Sequence, residues 1–159
     1  MSRHVAVLIY PDFQLLDAAG PIAAFEVAGR IRPGAYALRV IAAKSGLVRS
    51  SSGIAMPALA LGPARRVDTL MVSGGDGSRD AALCPKTRRF IQACERSARR
   101  TTSVCSGTYL LAAAGLLDGK VATTHWSRST DFRLRFPKVR LDPDRIFVRD
   151  GRPSGHLQV

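Results

Sequence analysis

The apolar positions of this chain fall into two alternating patterns. His4-Val5-Ala6-Val7-Leu8-Ile9-Tyr10 is a continuous apolar run, as expected of a strand covered on both faces. Pro11-Asp12 ends it, and Leu15 to Gly29 reads as helix, with Leu16, Ile22, Phe25 and Val27 as its larger apolar residues. Pro21 interrupts that stretch. The pattern therefore predicts a turn over Asp17-Ala18-Ala19-Gly20 and a helix starting at Pro21. Tyr36–Ala43 is a second strand. Leu47–Arg49 and Ile54–Met56, around Ser50-Ser51-Ser52-Gly53, form a predicted hairpin. Val67–Val72 is a further buried strand, closed by Ser73-Gly74-Gly75-Asp76-Gly77, and a helix follows from Pro85 to Ala98. Thr101–Val104 reads as strand, and the Leu- and Ala-rich residues up to Ala114 as helix, with Gly115 as its C-cap. Val121–His125 reads as strand, Ser127–Phe136 as helix, and Val139–Leu141 and Arg145–Val148 as short strands. Strands alternating with helices predict an α/β fold: an open, mostly parallel sheet with helices on both faces.

In such a sheet the site lies beyond the carboxyl ends of the strands. Cys105 stands where a strand turns sharply into a helix, the geometry of a nucleophile elbow with sulfur as the nucleophile. A helix N-terminus aimed at it is expected to lower its pKa. The plainer alternative is a buried cysteine, since free Cys is among the most buried residue types. Asp17 lies in an apolar stretch, where a carboxylate should be paired or functional. Touching Cys105, it would have a raised pKa and share a proton with the sulfur. Gly74 and Gly75 offer backbone N–H groups to an oxyanion. His125 ends a strand and is placed to orient or protonate, beside Thr124 and the only tryptophan, Trp126. The expectation is that these four loops lie on adjacent strand ends.

Composition narrows the class. A chain of 159 residues is expected to be one domain. No apolar run approaches the ~18–20 residues of a membrane span, and the N-terminus enters a strand without an apolar leader, so a cytoplasmic protein is expected. Cys84, Cys94 and Cys105 match neither a CxxC pair nor a disulfide framework, and His4, His125 and His156 form no metal-ligand pattern, so no metal or cofactor is expected. The net charge of +12 is concentrated in two segments, Lys86–Arg100 and Arg128–Arg152, neither of which carries a base-reading motif. They read as solvated basic faces, and direct nucleic-acid binding by this chain is not expected.

Four stretches carry a resemblance: Phe13–Pro21; Ser73-Gly74-Gly75; Ser103-Val104-Cys105-Ser106-Gly107; and Ala113–Trp126. In this order and spacing they resemble the ThiJ/PfpI superfamily, which has the class I glutamine amidotransferase-like, flavodoxin-like fold. Within it the chain is most similar to the amidase-like N-terminal domain of AraC-type (GlxA-like) transcriptional regulators, with isonitrile hydratases next. The resemblance covers about residues 4–151 and implies a ligand-sensing domain with a small-molecule or oxidant pocket around Cys105. The alternative it implies is a cysteine-dependent hydratase or hydrolase of small electrophiles. Position by position, it makes Cys105 the nucleophile or ligand-facing thiol, Asp17 its acid/base partner and His125 the histidine beside the elbow. Gly74, Gly75, Ser106, Gly107, Thr124 and Trp126 would form the surrounding pocket. Two departures stand out. The 159 residues carry no helix-turn-helix domain, and after Asp150-Gly151-Arg152 the final strand and helix are expected to be shortened. Apolar surface uncovered there would favour a homo-oligomer.

Overall fold

The computed structural model describes residues 2–149 and the backbone of residues 157–158. Ten strands and five helices follow one another: β1 (Arg3–Leu8), α1 (Leu15–Ile31), β2 (Tyr36–Ala42), β3 (Gly46–Arg49), β4 (Ala55–Ala60), β5 (Thr69–Val72), α2 (Ser78–Leu83), α3 (Pro85–Ser97), β6 (Arg100–Ser103), α4 (Thr108–Ala113), β7 (Val121–Ala122), α5 (Ser129–Arg135), β8 (Arg140–Leu141), β9 (Val148–Arg149) and β10 (Leu157–Gln158). The main sheet has the order β3-β4-β2-β1-β5-β6-β10-β9. Its six inner strands run parallel, and the antiparallel strands β3 and β9 close its two edges.

Of the helices, α3 covers the sheet through a regular apolar stripe. In α3 the buried residues are Thr87, Phe90, Ile91 and Cys94, the i, i+3, i+4, i+7 spacing of one helix face. Residues 108 to 112 of α4 are buried all round, so this short helix lies inside the protein rather than on it. Leu8, Ile9, Leu70, Ile91, Leu110, Leu111 and Leu117 are fully enclosed. Each such side chain contributes roughly 1.5–3 kcal/mol by leaving water. Tyr109 meets Phe132 edge-on at 5.0 Å between ring centres, which seats α5 on α4.

The structure corrects three expectations. First, α1 begins at Leu15 and runs through Pro21 without a break. A proline at that position removes only one ladder bond, the one to the Asp17 carbonyl, and the helix continues on either side. Asp17 therefore lies in the first turn of the helix, not in a turn before it. Second, β7 lies outside the main sheet and pairs in parallel with β8, Val121 with Arg140 and Ala122 with Leu141. The segment that leads to His125 is thus not a neighbouring sheet strand. Third, α2 was hidden in the sequence, because its six residues are too few to show a period. The expected shortening of the last strand and helix falls largely on residues 150–156 and 159, outside the described residues. The backbone of residues 157–158 does add β10 beside β6, Leu157 opposite Thr102 and Gln158 opposite Ser103.

Candidate functional site

Three parallel strands, β1, β5 and β6, carry the site at their carboxyl ends. Their exits are tied together before any pocket residue is reached. Ser73 donates its hydroxyl to the Leu8 carbonyl at 2.8 Å, and the buried Tyr10 hydroxyl donates to the Ser73 carbonyl at 2.6 Å. Beyond β1 the chain crosses over the loop that follows β5. Phe13, fully buried, bridges to Ser50 on one side and Gly75 on the other, and the Gln14 N–H donates to the Gly74 carbonyl at 2.8 Å. This crossing delivers Asp17, one helical turn later, to the end of β6.

Cys105 occupies that end. Its φ is +54°, a left-handed conformation that costs a non-glycine residue energy and that clusters at functional sites. A tight turn over Cys105–Gly107 then enters α4. The elbow is held from below: the Cys105 carbonyl accepts from the Thr108 hydroxyl at 3.1 Å and the Thr124 hydroxyl at 3.3 Å. Gly107 cannot be larger, because a Cβ there would lie 2.4 Å from the Val72 carbonyl oxygen and 2.7 Å from that of Ser73.

Asp17 and Cys105 meet across Gly74. A Cβ on Gly74 would lie 2.6 Å from an Asp17 carboxyl oxygen, 2.7 Å from the Ser106 nitrogen and 2.9 Å from the Cys105 Cβ. The glycine is thus what lets acid and thiol approach. The Gly74 N–H donates to Asp17 Oδ2 at 3.2 Å, on the side of the glycine that also faces the Cys105 side chain. Burial raises the Asp17 pKa, with the bonds from Cys105 and Gly74 and the nearby His125 pulling the other way. Burial raises the Cys105 pKa as well, and the Asp17 charge adds to it against a bond from the Ser106 backbone. The carboxyl shift has the expected direction but a different cause, burial rather than Cys105, whereas the thiol runs opposite to the lowering expected of a helix N-terminus. The reason is local: α4 is short, the sulfur is half-buried, and the nearest charge is a carboxylate.

The glycine loop is also occupied. The Gly75 N–H donates to the Ser106 hydroxyl at 2.9 Å, and that hydroxyl donates back to the Gly75 carbonyl at 3.0 Å. With the Gly74 N–H on Asp17, neither N–H is left pointing at an oxyanion.

A pocket of about 370 Å³ opens over this floor, lined among others by Gln14, Asp17, Gly75, Cys105, Ser106 and His125. His125 is exposed, and its Nδ1 is 2.8 Å from the Ser127 hydroxyl and accepts from the Ser127 N–H at 3.3 Å. The remaining wall is an ion pair between Arg128 and Asp76. Gly74, Gly107 and Thr124 lie beneath the pocket as supports. Trp126 is 75% exposed, rests against the His125 ring at 5.5 Å and does not line it. Sequence reasoning passed over Gln14, Ser127 and the Asp76–Arg128 pair. Asp76 sits in the glycine loop already singled out, but nothing in the sequence places Arg128 opposite it. Among the described residues, no group of three or more His, Cys, Asp or Glu side chains is placed to hold a metal ion, and no helix is long and apolar enough to cross a membrane.

A parallel sheet whose central strand ends in a strained cysteine, with a helix-borne acid beside it, defines a flavodoxin-like domain built around a cysteine elbow. The chain belongs to the DJ-1/PfpI family, whose model matches residues 3–152. It is 38% identical over 136 residues to a Streptomyces lividans protein, "Uncharacterized protein in cpoL 5'region", covering 85% of this chain and 96% of that one. It is 32% identical to isonitrile hydratase of Pseudomonas putida over 95% of this chain, and 29% identical to the HTH-type transcriptional regulator CdhR of Pseudomonas aeruginosa, also over 95%. It spans 63% and 45% of the lengths of those two proteins. A solved ThiJ/PfpI family protein from Pseudomonas syringae superposes with a TM-score of 0.83 at 31% identity, covering 99% of this chain and 62% of that one.

Proposed function

We propose that this chain is a ligand-sensing module of the kind found in AraC-type regulators, and that a small molecule occupies the Cys105 pocket. One observation carries the reading: every reactive group of the site is already engaged. The thiol keeps its proton through burial and the Asp17 carboxylate, and the Gly74 and Gly75 N–H groups are satisfied by Asp17 and Ser106. A site so arranged is built to hold a ligand by hydrogen bonds from Gln14, His125 and Arg128 rather than to present a standing thiolate. The kinship with an HTH-type regulator agrees with it. The test is a thermal-shift screen of small polar metabolites on Cys84→Ser protein before and after carbamidomethylation at Cys105, the substitution removing the faster-reacting thiol. Compounds that stabilise the first and not the second support the reading. A screen whose hits stabilise both equally, or that yields none, refutes it.

A second reading is favoured by the closeness of Asp17 and Cys105 across Gly74 and by the likeness to isonitrile hydratase. Here the Cys105 sulfur adds to the terminal carbon of an isonitrile, and the thiol proton passes through Asp17 to that same carbon, giving a thioimidate. Asp17 then takes a proton from an attacking water and passes it to the imidate nitrogen, the C–S bond breaks, and the formamide leaves as the remaining hydroxyl proton returns to the sulfur. Turnover of an isonitrile by the wild type that is lost in Cys105→Ala is the expected result. Equal rates in the two proteins would remove this reading.

A further inference from the structure

At the opposite end of the sheet from Cys105, the amino ends of β1, β5 and β6 open onto a cleft of about 820 Å³. Arg3 begins β1, Arg39 projects from β2, Arg65 and Arg66 lie in the single helical turn before β5, and Arg99 precedes β6. Asp68 is the carboxylate that lines the cleft, and it is already engaged. Arg99 grips it with two parallel bonds, Nε to Oδ2 at 3.0 Å and Nη2 to Oδ1 at 2.7 Å. Among the described residues, Arg3, Arg39, Arg65 and Arg66 are in no ion pair. The positive charge extends past the rim: the neighbouring Arg100 has its pKa lowered by burial and by the charges of Arg99, Arg149 and Arg3.

Like charges gathered around one concave surface repel, and exposure to water only moderates that cost. Such an arrangement is relieved by an anion carrying several charges, and guanidinium forks match phosphate oxygens in geometry as well as charge. Apolar surface adjoins the cleft, where Val5, Ile41, Leu59 and Phe90 line a smaller hollow that shares Arg39 and Arg66 with it. We propose that the Arg3–Arg39–Arg65–Arg66 cleft is a second binding site, separate from the Cys105 pocket, that takes an oligophosphate, either free or carried on a nucleotide. The proposal is independent of what the Cys105 pocket binds.

The experiment is isothermal titration calorimetry of the full chain with sodium tripolyphosphate and with ATP, at 50 mM and 200 mM NaCl. Wild type, Arg65→Glu/Arg66→Glu, Arg65→Gln/Arg66→Gln and Arg88→Glu/Arg89→Glu are compared. The last variant makes the same charge change on the first half of α3, where Arg88 and Arg89 line a different hollow. Saturable binding by the wild type is expected, weaker at the higher salt. The Arg65/Arg66 variants should lose at least about tenfold in affinity, and the Arg88/Arg89 variant should change by less than about threefold. Equal affinity for the two ligands would mean that the phosphate chain alone is read; tighter ATP binding would mean that the nucleoside makes contacts of its own. The Gln pair guards against misfolding by the charge reversal, and melting curves check all four proteins. Absence of binding overturns the proposal. So does equal weakening in the two Glu variants, which would reflect net charge alone. Duplex DNA competing in a way that ignores Arg65 and Arg66 would assign the basic surface to nucleic acid instead.

Discussion

Replacing Gly74 by Ala tests whether the approach of acid and thiol is what the sheet ends are built to permit. The new Cβ would fall 2.7 Å from the Ser106 nitrogen and 2.9 Å from the Cys105 Cβ, and both belong to the elbow itself. To reach an ordinary 3.4 Å contact, the loop and elbow must part by 3.4 − 2.7, about 0.7 Å, at the nitrogen. Overpacking of this kind costs about 1–3 kcal/mol. The shift also stretches the Gly74 N–H bond to Asp17, already 3.2 Å long; a hydrogen bond to a charged group contributes about 1.5–3 kcal/mol. Stiffening of the unfolded chain returns about 0.4–1 kcal/mol. The net loss is about 3 kcal/mol, or about 6–12 °C in Tm for a domain of this size. Differential scanning calorimetry measures it, with the pH dependence of Cys105 alkylation followed in the same protein. With Asp17 pushed away, the thiol loses the carboxylate charge and titrates lower than in the wild type. A variant that melts within a degree of the wild type, with an unchanged alkylation profile, would refute the argument.

Four further outcomes follow from the same geometry. In the wild type, iodoacetamide should modify Cys84 faster than Cys105 at pH 7. Bonds from Thr87 and Lys86 lower the Cys84 pKa while that of Cys105 is raised, and peptide mass spectrometry over time reads the order. Asp17→Asn should shift the midpoint of Cys105 alkylation down in pH while leaving it above that of a free thiol, because burial remains; an upward shift would contradict the assigned cause. Asp68→Asn should cost about 1 kcal/mol at pH 7. Because the folded pKa of Asp68 is lowered, that contribution is present above the unfolded value and is lost as pH falls through the folded one, so urea titrations of the two proteins should converge in acid. Leu16, Val27 and Ile31 are 70%, 53% and 83% exposed and share one face of α1, so the chain is expected to self-associate. Light scattering that gives a sharp monomer mass at micromolar concentration would refute this.

Much of the architecture was legible because strands buried on both faces declare themselves as unbroken apolar runs; Val5–Leu8 of β1 is the clearest instance. The hairpin β3–β4 was legible from Ser50-Ser51-Ser52-Gly53. What failed did so where local rules were outweighed. Pro21 predicts a helix start in isolation, but α1 lies along β1 and β2, and packing carries the helix across the missing bond. Val121–His125 has strand composition, yet only its first two residues pair, and with β8 rather than with the sheet. At the site, the elbow, Asp17 and the glycine loop could be read because each interrupts a pattern. The sense of the Cys105 shift could not, because it depends on which charge lies nearest. The Arg128–Asp76 wall joins residues 52 apart and leaves no local signature.

The separation of β7 from the main sheet divides the pocket into two inheritances. Cys105, Gly74 and Ser106 follow the carboxyl ends of β5 and β6, and Asp17 sits in the first turn of α1, all tied to the core of the sheet. His125, Ser127 and Arg128 follow a two-stranded ribbon of their own, attached from beneath by Thr108 to the Thr123 carbonyl at 2.9 Å and by Tyr109 to the Arg128 carbonyl at 3.2 Å. Substitutions on this outer wall can therefore redraw what the pocket admits while the thiol–acid pair and its supports stay as they are. The same scaffold can in this way serve different ligands by exchange of a few residues between 125 and 128.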